Sequence, residues 1–395
     1  MRVLVTSFTY PPEKNGVAEC ARIQAEGLAR AGHQVTVATR KLVESSQPRA
    51  ADMIEVIEFD VHDTDTAGRC AGPDCARYRK YIADADHDAI LCHAWQTWTT
   101  DLALDAFPDS KIGRKIMVSH GFSAHLWQRH PGFPWGLGQW LRNRAYAKSL
   151  PQKLRSFDHV VFLSEQVDRD RFYDHCALER FGGPDFSVIP NGARTDFPAT
   201  GIDFRAQHDL ADRFVVLCVS NYTKNKGQET VLRAFLEADL EGSALIFIGS
   251  EFNAYSERLK SALSNHAKAR ILFLDKQNQE SISAAYRAAD LFALASKSEA
   301  QPLVLLDAMG SGTPFVSTDV GAVSQLPGGL LFHSEADLTQ LLRRLRKDEK
   351  TLEELAGRGS AATGTLYNWE RYVKDYHRLL APPTPPAPNN SGEYS

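Results

Sequence analysis

The chain has 395 residues, more than one ordinary hydrophobic core holds, and at ~150 residues per domain it predicts about two to three domains, two being the working number. Its composition, 43% hydrophobic and 24% charged, is that of a folded soluble protein, and the net charge of −4 gives no global pull toward nucleic acid or membrane. No basic n-region precedes an apolar stretch at the start, and no run of ~18 apolar residues occurs, so the chain reads as cytoplasmic. The six cysteines then read as reduced thiols, and the spacing of Cys70 and Cys75, with no second ligand pair, does not read as a zinc site.

In chain order, short runs rich in valine, isoleucine and leucine alternate with longer segments of helical period, the pattern of a parallel sheet covered on both faces. The strand candidates are RVLVTS from Arg2, QVTVAT from Gln34, IEVIEF from Ile54, AILCHA from Ala89, KIMVSH from Lys115, HVVFLS from His159 and SVIP from Ser187. The series restarts after a polar, period-free stretch beginning at Asn191, with FVVLCVS from Phe214, ALIFIG from Ala244, RILFLD from Arg270, LFALAS from Leu291 and FVST from Phe315. The expected fold class is therefore α/β, two Rossmann-like doubly wound parallel-sheet domains in series, over residues 1–197 and 198–365. An amphipathic segment at about 366–381 follows, and the polar, proline-rich tail 382–395 is expected to be disordered. Open parallel sheets bind ligands at the carboxyl ends of their strands, so the site is expected in the cleft where the two edges face each other.

Four segments sit at such strand ends. After the first strand, Gly16 opens a helix that stops at Gly32; a helix N-terminus favours anions, although a tight turn without a ligand has the same signature. No G-x-G-x-x-G is present, which argues against a nicotinamide dinucleotide. His120 ends the fifth strand, suited either to a sugar hydroxyl or departing phosphate, or to a structural hydrogen bond. After the first strand of the second half, Lys224 and Lys226 precede a helix opening at Gly227, where a lysine neutralises a leaving diphosphate or is merely solvated. Most specific is SKSEAQPLVLLDAMGSGTP, with Glu299 in the turn, Pro302 suited to the first turn of a helix and Asp307 on it. If helix runs through most of that span, the two acids lie ~10–12 Å apart, too far for a close carboxylate pair.

With its Pro-Pro-x-x-x-Gly turn, S-H-G at His120, V-I-P-N-G from Val188, K-G at Lys226 and E-x7-D-A-M-x-x-G-T-P, the chain resembles glycosyltransferase family 4 of the GT-B fold, to about residue 381. The resemblance implies retaining transfer of a hexose-type sugar from a UDP-, GDP- or ADP-sugar, without cofactor or metal. It also implies a final helix crossing back onto the first domain. Carried over by position, Gly16 would face the donor phosphates and acceptor, His120 the transferred sugar, Lys226 the diphosphate, Glu299 the sugar hydroxyls and Asp307 the ribose. Gly249, Ala300, Gln301 and Leu303 would complete the donor set. Three departures stand out. Asn221 replaces an arginine of the phosphate clamp, with Lys224 nearby. Asp307 replaces glutamate. E-A-Q-P replaces a glycine-rich E-G-F-G turn, and Pro302 has no N–H to offer.

From Gly121 through Phe157 no acidic residue occurs, while Trp127, Trp135 and Trp140 fall among Arg129, Arg142 and Arg144. Basic and tryptophan residues combined in this way suit a face that docks peripherally on the inner surface of an anionic membrane and admits a lipid-linked acceptor; they equally suit a core flanked by solvated cations. Polysaccharide, lipopolysaccharide or glycolipid assembly would be the setting. A non-catalytic nucleotide-sugar binding protein and a sugar-nucleotide epimerase are the rival functions.

Overall fold

The computed structural model describes residues 1–381 apart from 43–52, 66, 123–134, 166–171, 196, 198–200 and 264–269. Among the described residues two parallel sheets carry the fold. The first is built from β1 (Arg2–Thr6), β2 (Gln34–Arg40), β3 (Ile54–Phe59), β4 (Ala89–His93), β5 (Arg114–Val118), β6 (His159–Phe162) and β7 (Asp185–Val188), in spatial order 3-2-1-4-5-6-7. The second comprises β8 (Phe214–Val219), β9 (Ser243–Gly249), β10 (Ile271–Asp275), β11 (Leu291–Leu294), β12 (Phe315–Thr318) and β13 (Gly329–Phe332), in order 10-9-8-11-12-13. The fold class read from the sequence is thus the one observed.

Apolar runs without alternation become central strands because both faces are covered. Along β1, Val3 and Val5 enter one core cluster while Leu4 enters the cluster on the opposite face. β8 does the same, with Val216 and Cys218 on one side and Val215 and Leu217 on the other. β13 is absent from the strands expected from sequence. It is a four-residue edge strand, partly exposed over three of its positions, so it lacks the long apolar run that marks a buried strand.

The helix Gly16–Arg30 begins where Asn15 Oδ1 accepts from the Ala18 amide at 3.0 Å, a side-chain cap following the proline turn. Its outer face is covered by the helix Trp369–Leu380. At Gly27 a Cβ would lie 2.2 Å from Val373 Cγ2, so the missing side chain lets the two helices close. Tyr372, Tyr376 and Leu380 complete the core cluster that contains Val3 and Val5.

Each sheet reverses its winding between the strands that are first and fourth in its chain order, between β1 and β4 and between β8 and β11. Those two switch points are where an open parallel sheet opens a crevice for a ligand.

Candidate active site

Two helix N-termini meet at the cleft. A Cβ placed on Gly16 would lie 3.8 Å from Leu303 Cδ1, so the mouth of the Gly16–Arg30 helix touches that of the Leu303–Gly310 helix of the second domain. Pro302 stands at the N-cap of the latter, one position ahead of the first turn, in extended conformation and without a side-chain cap. Helix therefore covers residues 303–307 of the span between Glu299 and Asp307, and the residues before it form an irregular turn. Each mouth carries amide N–H groups without intrahelical partners and the positive end of a helix dipole.

The loop after β8 brings a cation to this place. Lys224–Lys226 form a single 3₁₀ turn closed by the Lys226 amide on Thr223 O, and Gly227 follows at φ +65°, where a Cβ would sit 2.0 Å from Ala295 O. Only glycine permits that approach, and it pins the lysine loop to the end of β11. Asn225 staples the two loops, its amide side chain donating to Ser298 O while its carbonyl accepts from the Lys297 amide at 2.8 Å. Gly321 does the same service for the Glu299 turn, since a Cβ there would lie 2.3 Å from both Glu299 O and Ala300 O. The outcome is a Lys226 Nζ to Glu299 Oε1 ion pair of 2.6 Å, with the glutamate side chain only 12% exposed. Sequence position anticipated both residues but not their pairing.

The other expected donor residues divide. Asn221 and Lys224 stand exposed at the rim. Ala300 is nearly buried in the turn and Leu303 opens the helix. Gln301 bridges the domains through its side chain: Oε1 accepts from the Asn191 amide at 2.7 Å and Nε2 donates to Leu163 O at 3.3 Å. Gly249, expected at the donor, ends β9 and makes room for the Tyr222 ring, whose edge lies 2.4 Å from where a Cβ would be.

Asp307 is partly covered and accepts from the Arg194 amide at 3.1 Å. The Arg194 guanidinium reaches Glu19 of the Gly16–Arg30 helix at 3.2 Å, and Glu19 pairs with Arg22 at 2.9 Å. Burial alone would raise the Glu19 carboxyl, but the bonds from Arg22 and Arg194 outweigh it and hold it below the usual range. Arg194 and Glu19 were not anticipated; partners 175 and 113 residues away in sequence leave no local pattern.

His120 follows β5 on the first domain and is nearly buried. Its turn is held from below: Ser119 Oγ donates to Asp174 Oδ2 at 2.5 Å and accepts from the Gly121 amide, and Trp95 Nε1 donates to the same carboxylate oxygen at 2.8 Å. Burial raises the Asp174 carboxyl despite those bonds. Behind His120 lies His93, the last residue of β4, with Nδ1 3.0 Å from His120 Nε2. His93 was not singled out, although it is a strand-end histidine beside the switch point, the same signal that marked His120.

Of the basic face, Trp127 and Arg129 lie outside the described residues, as do the side chain of Trp135 and the tail 382–395. Arg142 is drawn inward to Asp65 at 3.0 Å, and Arg144 stacks over Trp140 at 4.7 Å. Among the described residues no helix is long and apolar enough to cross a membrane.

Comparison with known proteins bears on this geometry. Residues 15–192 match the model of a glycosyl transferase 4-like domain, and residues 213–348 that of glycosyl transferases group 1. The chain is 30% identical over 389 residues to D-inositol 3-phosphate glycosyltransferase of Corynebacterium aurimucosum, covering 88% of each protein. Among solved structures, sucrose-phosphate synthase from Thermosynechococcus elongatus superposes with a TM-score of 0.77 at 20% identity, covering 96% of this chain and 98% of that one. Anabaena HepE, solved in complex with UDP and glucose, superposes with a TM-score of 0.71 at 17% identity, covering 96% and 99%.

Proposed function

The chain belongs to the group 1 glycosyltransferases, of family 4 type on the GT-B fold, and from that premise we propose that it moves a hexose-type sugar, with retention, from a nucleotide-sugar to a hydroxyl acceptor. The observation that carries the reading is the convergence of two helix N-termini beside the Lys226–Glu299 pair. A diphosphate suits the paired helix mouths, and Lys226 suits the charge that grows on the leaving oxygen. In the unliganded protein Glu299 neutralises that lysine. With donor present Lys226 turns to the phosphates and Glu299 accepts from the sugar hydroxyls, while Asp307 turns from Arg194 to the ribose. Among the residues singled out no second carboxylate is placed to form a covalent sugar intermediate. The acceptor hydroxyl therefore approaches on the face of the leaving diphosphate, which takes its proton as the new bond forms. Lys226 and the helix mouths stabilise the oxocarbenium-like state without a metal.

The UDP and glucose of the Anabaena neighbour support a nucleotide-sugar donor, and the name of the Corynebacterium relative offers a phosphorylated polyol as one acceptor class. A lipid-linked acceptor presented at an anionic membrane, in cytoplasmic glycolipid or polysaccharide assembly, is the other. Arg142 is spent on Asp65, so Arg144 with Trp140 is the described part of the face that such docking would use. The test is thermal shift and nucleotide release with UDP-, GDP- and ADP-sugars. A productive donor at 100 times its dissociation constant stabilises by ~2.7 kcal/mol and is turned over when acceptor is added. Stabilisation without release would favour a non-catalytic binding protein, and no response to any donor would refute the reading.

A further inference from the structure

We propose that His93 is a positioning residue for transfer: together with Gln24 it fixes which ring nitrogen of His120 carries the proton. The inference rests on the reading of His120 as the residue that meets the transferred sugar. His93 is fully buried at the carboxyl end of β4, and its ring stacks on that of His120 with centroids 5.2 Å apart and planes 24° apart. Its Nδ1 lies 3.0 Å from His120 Nε2, and its Nε2 lies 2.9 Å from Gln24 Oε1. Gln24, also fully buried, points Nε2 to the Tyr372 hydroxyl at 3.4 Å.

These contacts orient the protons in one direction. Burial, and then the neighbouring His120, hold His93 well below its ordinary pKa, so it is neutral and has one N–H and one lone pair. With the Gln24 amide nitrogen directed to Tyr372, its oxygen accepts, and the His93 proton lies on Nε2. His93 Nδ1 is then an acceptor, and the His120 proton facing it lies on Nε2. In neutral His120 this leaves Nδ1 as the accepting atom, the form in which the ring receives a sugar hydroxyl. A core histidine pair needs only that its buried polar atoms be satisfied. A relay predicts in addition that a change at Gln24, which bonds His93, alters the His120 tautomer.

The experiment uses the full chain labelled with ¹⁵N-histidine, with His120 assigned by its loss in His120→Gln. Wild type is expected to show His120 with Nε2 protonated and Nδ1 unprotonated. Gln24→Leu removes the acceptor for the His93 proton and is expected to shift His120 toward the other tautomer, with a fall of at least about tenfold in kcat and little change in donor KM. His93→Phe keeps the ring and loses the acceptor, with the same expected effect. His93→Asn, whose amide oxygen stands in for Nδ1, is expected to restore both tautomer and rate to within about threefold. A wild-type His120 protonated on Nδ1, a tautomer unmoved by Gln24→Leu, or His93→Asn no better than His93→Phe would overturn the proposal. The nitrogen spectrum needs no turnover, so an inactive wild type would sink the transferase reading while the relay is still decided.

Discussion

Replacing Lys226 by methionine keeps the stem and removes the charge. An ammonium about 3 Å from a diphosphate oxygen, at an effective dielectric constant of about 20, interacts by ~5.5 kcal/mol per full unit of charge. If about half a unit develops on the leaving oxygen between ground and transition states, the lysine supplies ~2.8 kcal/mol, or about a hundredfold in kcat. That is at the lower end of what a preorganised charge contact contributes, as befits a side chain still 28% exposed. The substitution also leaves Glu299, only 12% exposed, without its ammonium, at a stability cost of about 1–3 kcal/mol. The double variant Lys226→Met/Glu299→Gln separates the two effects: it should recover most of the stability in urea denaturation while kcat for nucleotide release stays low. A kcat for Lys226→Met within about threefold of wild type would refute the assignment of leaving-group stabilisation to this residue.

Three further substitutions test the frame of the site in the second domain and the ionisation of the first. Gly227→Ala, at φ +65° and 2.0 Å from Ala295 O, should cost about 2–3 kcal/mol and weaken donor binding, whereas Gly357→Ala, inside a helix with nothing within 4 Å, should be neutral or stabilising; similar urea midpoints for both would contradict the strain argument. Burial pushes the Asp63 carboxyl up to about 6 although it accepts from the Trp98 amide at 2.6 Å, so between about pH 4 and 6 the folded state holds more protons than the unfolded one and stability falls as pH rises. Asp101, also pushed up to about 6 by burial, shares that window, so Asp63→Asn should remove part of the fall and gain on wild type from pH 4 to 7; parallel urea-midpoint profiles would count against it.

What could be read from the sequence was local. Runs such as AILCHA and ALIFIG declare central strands because a parallel sheet buries both faces, and Gly16, Lys226 and Glu299 declare themselves because they follow such runs. Pro302 suits the first turn of a helix by its φ of −72°, but its ψ of 114° is extended, so it stands at the N-cap and helix starts at Leu303. Long-range pairings were not legible: Arg194 with Asp307 and Gln301 with Asn191 and Leu163 join the two domains, and Arg194 with Glu19 and His93 with Gln24 join residues far apart within the first. A glycine at a strand end likewise signals only that something approaches closely; at Gly249 that neighbour is the Tyr222 ring, which no local pattern in the sequence named.

The helix Trp369–Leu380 has a consequence for the order in which the protein can be made. Val373 closes over Gly27, and Tyr372, Tyr376 and Leu380 finish the core around Val3 and Val5. These lids are among the last described residues to leave the ribosome, while the strands they cover are among the first. A nascent first domain therefore keeps an apolar flank open throughout synthesis of the second, and a ribosome stalled in that interval displays it to whatever chaperone or neighbouring chain arrives. Emergence of this helix is what closes the core around β1.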